Sequence, residues 1–255
     1  MDYSRVVPLH PLALEFDAVA GAYERGRPEY PPAVIDRLAA ELGIEAGARV
    51  LDLAAGTGKL TRALLDFGLD VVAVEPQQSL RRMLSVAVGA ERVRDGLAEA
   101  IPLEDGSVAA VTVADAFHWF EPAGALAEIG RVLRPGGGLA LLMCAVDWGG
   151  ASWAHEVGTL IAELRPEHPQ FDGPSWRESV EAAGGWAEPR EIQLTFSQQI
   201  DAERVVDHIE SMSWMAALGE ERRTDTLARL GAIIRAGDTP PELPVHVRIG
   251  LTTLA

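Results

Sequence analysis

The segment LDLAAGTGKLT, Leu51–Thr61, holds the residue types and spacing best suited to chemistry. An aliphatic run carries a carboxylate at its end, Asp52; small residues follow at Ala54, Ala55, Gly56 and Gly58, and then helical spacing begins. Small residues let a backbone come close to a ligand. Open parallel sheets bind ligands outside the carboxyl ends of their strands. Two phosphate-binding patterns fail here. A P-loop ending at Gly58-Lys59 needs glycine at Leu53 and a hydroxyl at Leu60. The dinucleotide pattern from Gly56-Thr57-Gly58 needs glycine at Thr61. What remains, Asp-x-small-x-Gly-x-Gly, suits a nucleoside with an amino-acid tail and no phosphate. A second carboxylate, Glu75, ends the next aliphatic run, where an acidic side chain can accept hydrogen bonds from ribose hydroxyls.

The elements that must position these groups can be read along the chain. Strand candidates are 48–53, 70–75, a weak one near Val93, 107–115, 139–146, 191–198 and 245–254. Helical spacing covers 59–67, 76–88, 122–133, 154–164, 175–183, 201–217 and 220–236, with a loop at 237–244. Strands alternating with helices imply a parallel sheet with right-handed crossovers. Continuous aliphatic strands fit a sheet covered on both faces. Residues 1–146 read as the nucleoside-binding core. Residues 147–255 read as completing the sheet and adding a helical lid within the same structural domain.

Composition excludes several classes. The 255 residues carry 22 Lys and Arg against 38 Asp and Glu, a net charge of −16, so a long polynucleotide is not the expected partner. The single cysteine, Cys144, lies in the apolar run LALLMCAV and reads as a core residue, which leaves no internal disulfide and fits a cytoplasmic protein. The N-terminus lacks a continuous apolar core, and no apolar stretch approaches the ~20 residues that cross a bilayer. His155, His168, Asp172 and His208 show no metal-ligand spacing, and no metal is expected.

Several segments resemble the class I S-adenosylmethionine (SAM)-dependent methyltransferases: VLDLAAGTGKLT, VAVEPQQSL, DGLAEAIPLEDGSVAAV and VLRPGGGLAL. FDAVAGAYERGRPEYP and ADAFHWFEP are similar to the trans-aconitate methyltransferase-like branch, with its type 11 methyltransferase domain. The resemblance implies an α/β fold: a Rossmann-like, doubly wound, seven-stranded and mainly parallel sheet with an antiparallel last strand and a helical lid. It implies SAM as cofactor and S-adenosylhomocysteine as its product.

Carried over by position, Asp52 and the backbone of Ala54, Ala55, Gly56, Thr57 and Gly58 should face the methionine part. Glu75, with Pro76 and Gln77, should hold the ribose. Leu80 should pack on adenine, and Gly96, Leu97, Ala98 and Glu99 should reach its edge. Asp115 and Ala116 should line the sulfonium end, and Tyr23 and Arg27 should close over the cofactor. Two positions depart from the family pattern. Ala54 replaces the usual first glycine, and Leu97 stands where relatives often carry Asp.

Methyl transfer needs mainly positioning of a nucleophile in line with the S–CH3 bond, worth roughly 7–11 kcal/mol in favourable systems. A base is needed only for a protonated acceptor. His118 is the expected base or positioning residue. Tyr23, Tyr30, His118, Trp119, Trp153, Met212 and Trp214 are the expected acceptor contacts. Arg27, Arg165 and Arg177 are the cations available to an anionic acceptor.

The expectation is therefore O-, N- or C-methylation of a small molecule, a natural product or a carboxylate metabolite, as in secondary metabolism. The protein is expected to be a monomer or homodimer, with no membrane and no nucleic acid as partner. Two alternatives remain open to the sequence: a non-methylating reaction in the same pocket, or a non-catalytic SAM-binding partner protein.

Overall fold

The computed structural model describes residues 10–14, 16–164 and 168–255. Its centre is a seven-stranded sheet: β1 Arg49–Leu53, β2 Asp70–Val74, β3 Val93–Arg94, β4 Val108–Ala114, β5 Leu133–Val146, β6 Arg190–Gln199 and β7 Glu242–Thr253. The strand order is β3-β2-β1-β4-β5-β7-β6. β1 pairs in parallel with both β2 and β4, and only β7 runs antiparallel, between β5 and β6. The doubly wound Rossmann-like class implied by the resemblance is therefore the fold.

Strand alternation sends side chains to two helical layers. Val50, Val71, Ala110, Leu142 and Val247 meet α3, Pro32–Leu42, and α4, Lys59–Asp66. Leu51, Leu53, Val111, Val113 and Leu139 meet α6, Pro122–Val132, and α9, Trp176–Ala183. α5, Gln78–Val88, closes the β2–β3 edge through Leu84 and Val88. Glu121 caps α6 through the Ala123 and Gly124 amides, and Ser175 with Glu178 forms a capping box on α9.

A further layer stands over the carboxyl ends of β4 and β5. It comprises α7 Ala154–Leu164, α8 Pro169–Asp172, α10 Ala202–Glu210, α11 Ser213–Ala216 and α12 Glu220–Ala236. Its own core includes Trp153, Val157, Leu160, Ile209, Trp214, Met215 and Leu230. The N-terminal helices α1, Pro11–Leu14, and α2, Phe16–Gly26, lie against it.

Three boundaries differ from the sequence reading by three residues or more. The helix expected over 201–217 breaks after Glu210, where the Ser211 hydroxyl bonds back to the His208 carbonyl at 2.6 Å and Met212 turns extended. β7 begins at Glu242 rather than Val245, with Pro244 exposed and its carbonyl accepting from the Asp147 amide at 2.8 Å. β5 begins at Leu133. Leu133 faces Val108 and Gly138 faces Ala110, so Arg134–Gly137 bulge out of the pairing.

Candidate active site

β1 ends at Leu53, and Ala54 (φ +57) turns the backbone through the left-handed region before Gly56 (φ +59) and Gly58 (φ +93). Gly58 caps α4, and a Cβ there would lie 2.7 Å from a Leu84 methyl. The turn thus stays thin enough to expose its backbone. Glu75 crosses to it from the end of β2. Its Oε2 accepts from the Gly56 amide at 2.8 Å and its Oε1 from the Gln77 amide at 2.9 Å. Burial pushes the Glu75 carboxyl up to about 7, against the pull of the two amides.

A cleft of about 870 Å³, partly open to solvent, runs along these strand ends. Ala54, Gly56 and Thr57 line it from the turn; Glu75, Pro76, Gln77 and Leu80 from β2 and α5; Gly96, Leu97, Ala98 and Glu99 from the loop after β3; and Asp115 and Ala116 from the loop after β4. Tyr23 and Trp119 close one side. The structure therefore brings most of the expected cofactor contacts onto one surface. Sequence reasoning missed Ala13, Leu53, Ala114 and Phe120, which also line it. Ala13 sits on α1, tied down by the Gln77 side-chain amide donating to its carbonyl at 2.6 Å, and nothing in its local pattern signals a cleft contact.

A second cavity of about 420 Å³, also partly open to solvent, adjoins the first, and Tyr23, Ala54, Ala114 and Asp115 line both. Asp52, Ala55, Arg27 and Tyr30 line this second space, together with Lys59 and Cys144. Asp52 is 1% exposed and turned inward, accepting from Thr61 Oγ1 at 2.5 Å and Thr112 Oγ1 at 3.4 Å. Burial pushes its carboxyl up to about 7. The Arg27 guanidinium donates to Ser211 Oγ at 2.7 Å and lies 5.4 Å from the Tyr23 ring centre, so it fastens α2 to the helical layer.

Other expected contacts lie elsewhere. His118 lines neither cavity. Its ring packs 4.5 Å from Trp119 and 5.5 Å from His168, centre to centre. Burial first, then His168 and Arg27, drive its pKa down to about 3, so its imidazole is neutral and only weakly basic at neutral pH. Trp153 and Trp214 are buried in the helical layer, with Trp153 Nε1 donating to Thr239 Oγ1 at 2.9 Å, and Met212 packs against the same cluster. Arg177 packs over Trp176 and donates to the Pro189 carbonyl, away from both cavities. Arg165 lies outside the described residues.

The residues present fit SAM. Thr57 Oγ1 is buried in the turn without a hydrogen-bond partner among the described residues, while its residue lines the cleft. At Gly96, a Cβ would lie 2.5 Å from Pro102, so backbone alone forms that wall. The site is an apolar slot for a flat base, a carboxylate beside it, and a polar end.

Such a turn and carboxylate pair on such a sheet define a nucleoside-binding α/β enzyme. The methyltransferase domain family matches residues 51–141. An uncharacterized methyltransferase of Mycobacterium tuberculosis is 39% identical over 223 residues, spanning 88% of this chain and 86% of that protein. A demethylmenaquinone methyltransferase of Beutenbergia cavernae is 42% identical over 106 residues, 39% of this chain and 42% of the other. A solved structure from Anaeromyxobacter dehalogenans, provisionally assigned as a type II methyltransferase, superposes with a TM-score of 0.64 at 25% identity, covering 89% of this chain and 97% of that one. The chain belongs to the class I SAM-dependent methyltransferases.

Proposed function

We propose that this methyltransferase transfers a methyl group to a small-molecule acceptor bound beside the seam between the two cavities. The observation that carries this reading is Glu75. Two backbone amides fix it at the rim of a cleft whose floor is the glycine turn. Glu75 would accept the ribose hydroxyls, Leu80 and Gly96–Glu99 would hold the adenine, and Ala54–Thr57 would hold the methionine part. SAM when bound supplies an electrophilic methyl group on a sulfonium.

This chain's residues supply position and dryness. Trp119 and Phe120 wall the cleft, Tyr23 lines both cavities and Arg27 lines the second. A neutral His118 serves as a positioning residue behind Trp119. A small acceptor is supported by the modest size of the second cavity and by the acidic chain, whose −16 charge opposes polynucleotide binding. The trans-aconitate branch is supported by the Phe16–Pro31 and Ala114–Pro122 segments alone. The relative from Beutenbergia cavernae is named for action on demethylmenaquinone, a ring quinone, which supports a cyclic acceptor as well. No described helix is long and apolar enough to cross a membrane.

The test is calorimetric titration with SAM and S-adenosylhomocysteine, beside Glu75→Ala. Micromolar binding weakened tenfold or more by the substitution is the expected result. Tight binding that Glu75→Ala leaves unchanged would sink the assigned pocket.

A further inference from the structure

A methyltransferase working on an acceptor that still carries its proton needs somewhere to put it. His118 is a poor recipient, being neutral, weakly basic and absent from both cavity walls. Asp115 is differently placed. It follows β4 directly and is one of four residues lining both cavities, with Tyr23, Ala54 and Ala114. Among the described residues it is also the only titratable group besides Tyr23 that does so.

Its backbone adopts φ +49, a left-handed conformation costly for a residue with a Cβ and common at functional sites. The turn is pinned at two points. The Asp115 amide donates to the Leu142 carbonyl at 2.9 Å, and Asp115 Oδ1 accepts from the Cys144 amide at 3.1 Å. The second oxygen, Oδ2, has no hydrogen-bond partner among the described residues.

On the reading above, the geometry points to Asp115 as the general base of the reaction, with Oδ2 receiving the hydroxyl proton of a ring-borne phenol or enol as the methyl group is transferred.

The facing groups suit that role. Arg27 and Tyr23 approach from the end of α2, Cys144 from β5, and Tyr30 reaches Cys144 from the segment before α3. Lys59 and Asp52 line the same cavity, and Arg27 is the cation that acts on Asp115. It favours the charged carboxylate while burial disfavours it, and the balance leaves Asp115 at about 6. The carboxylate is then ionised at neutral pH yet more basic than an ordinary aspartate. The Tyr23, Trp119 and Phe120 rings suit a flat acceptor.

The step balances. The acceptor O–H bond breaks and its proton joins Asp115 Oδ2. The released electron pair, on oxygen or delocalised to the adjacent ring carbon, forms the new bond to the methyl carbon. The S–CH3 pair stays on sulfur, which leaves as a neutral thioether. A carboxylate acceptor would bring a second anion against Asp115 and needs no base.

The test uses two probes, 4-methylphenol, protonated at about pH 8.5, and 4-nitrophenol, already ionised there. Wild type, Asp115→Asn and Asp115→Glu are compared for labelled methyl transfer, and calorimetry follows SAM binding in each. Asp115→Asn is expected to lose about 100-fold or more on 4-methylphenol and under about tenfold on 4-nitrophenol, with SAM affinity held within about threefold. The acidic limb of the wild-type rate profile should vanish in Asp115→Asn and return in Asp115→Glu. With S-adenosylhomocysteine bound and no turnover, the visible band of bound 4-nitrophenol should report more phenolate in Asp115→Asn than in wild type. Equal losses on both phenols together with weakened SAM binding would make Asp115 a cofactor ligand and overturn the proposal. So would an unimpaired Asp115→Asn. A wild-type protein that binds SAM but methylates neither phenol would reject the hydroxylated-ring acceptor and leave the cofactor site standing.

Discussion

Ala54 occupies φ +57, a conformation that glycine adopts freely and alanine does not. Its methyl group is tolerated because the turn needs a small residue, and the strain is local. Ala54→Gly is expected to stabilise the ligand-free protein by about 0.5–1 kcal/mol, read as a Tm rise of about 2–4 °C. An unchanged or lower Tm would mean that the methyl contacts outweigh the strain. Glu75 makes a different trade. Folding lifts its pKa from 4.5 to about 7, so the ionised carboxylate opposes folding at and above neutral pH, and the protonated one does not below about 5. Glu75→Gln is therefore expected to raise the ligand-free Tm at about pH 8, change it little at about pH 5, and weaken SAM binding at both. A Tm loss larger at the higher pH would reverse the sign and refute the argument.

At the scale of elements, the site depends on a crossing that joins segments 182 residues apart in sequence. Helix α2 meets α10 at Gly26, where a Cβ would lie 2.3 Å from the His208 amide nitrogen. Two ion-pair and hydrogen-bond clamps flank it. Arg25 binds Asp207 through both carboxylate oxygens, at 2.9 and 2.7 Å, and Arg27 binds Ser211. The exposed Arg25 pair adds little by itself; close packing decides the geometry. Gly26→Ala must push α2 off α10, at a cost of about 1–3 kcal/mol, and move Tyr23 and Arg27 with it. A drop in both Tm and SAM affinity is expected, against Arg25→Ala, which should change each only slightly. Full SAM affinity in Gly26→Ala would show that α2 is not part of the cover.

Across the whole molecule, buried titratable groups pull in opposite directions. Asp52, Glu75 and Asp115 rise to about 7, 7 and 6 from 3.8, 4.5 and 3.8. Between those limits the folded state holds protons that the unfolded chain has released, so stability falls as pH rises. His118 and His208 drop to about 3 from 6.5, and over that window the unfolded chain holds the extra protons, so stability rises with pH. The two sets overlap. The ligand-free Tm is expected to be nearly flat from about pH 5 to 6.5 and to fall toward about pH 7.5. Scanning fluorimetry at constant ionic strength checks this, and a steady rise through that range would contradict burial of the three carboxylates.

Sequence alone determined the first half of the cleft lining. The turn Leu51–Thr61, Glu75 and the strand–helix alternation are local patterns, because a strand end followed by small residues and a helix start can be met in only a few ways. The same holds for the sheet class and for Leu80 and Gly96–Glu99, which follow strands at family-typical distances. Contacts between segments far apart in sequence were not local. The covering role of α1, the α2–α10 crossing, and the break at Ser211 arise from packing between residues far apart in sequence. That distance also explains Trp153 and Trp214. Their type suggested a pocket wall, but the helical layer needed large side chains for its own core, and it claimed them. Tertiary structure also separated the two acid–base candidates after β4: three residues apart in sequence, Asp115 lines both cavities, with its backbone in a left-handed turn, while His118 packs against Trp119 and lines neither.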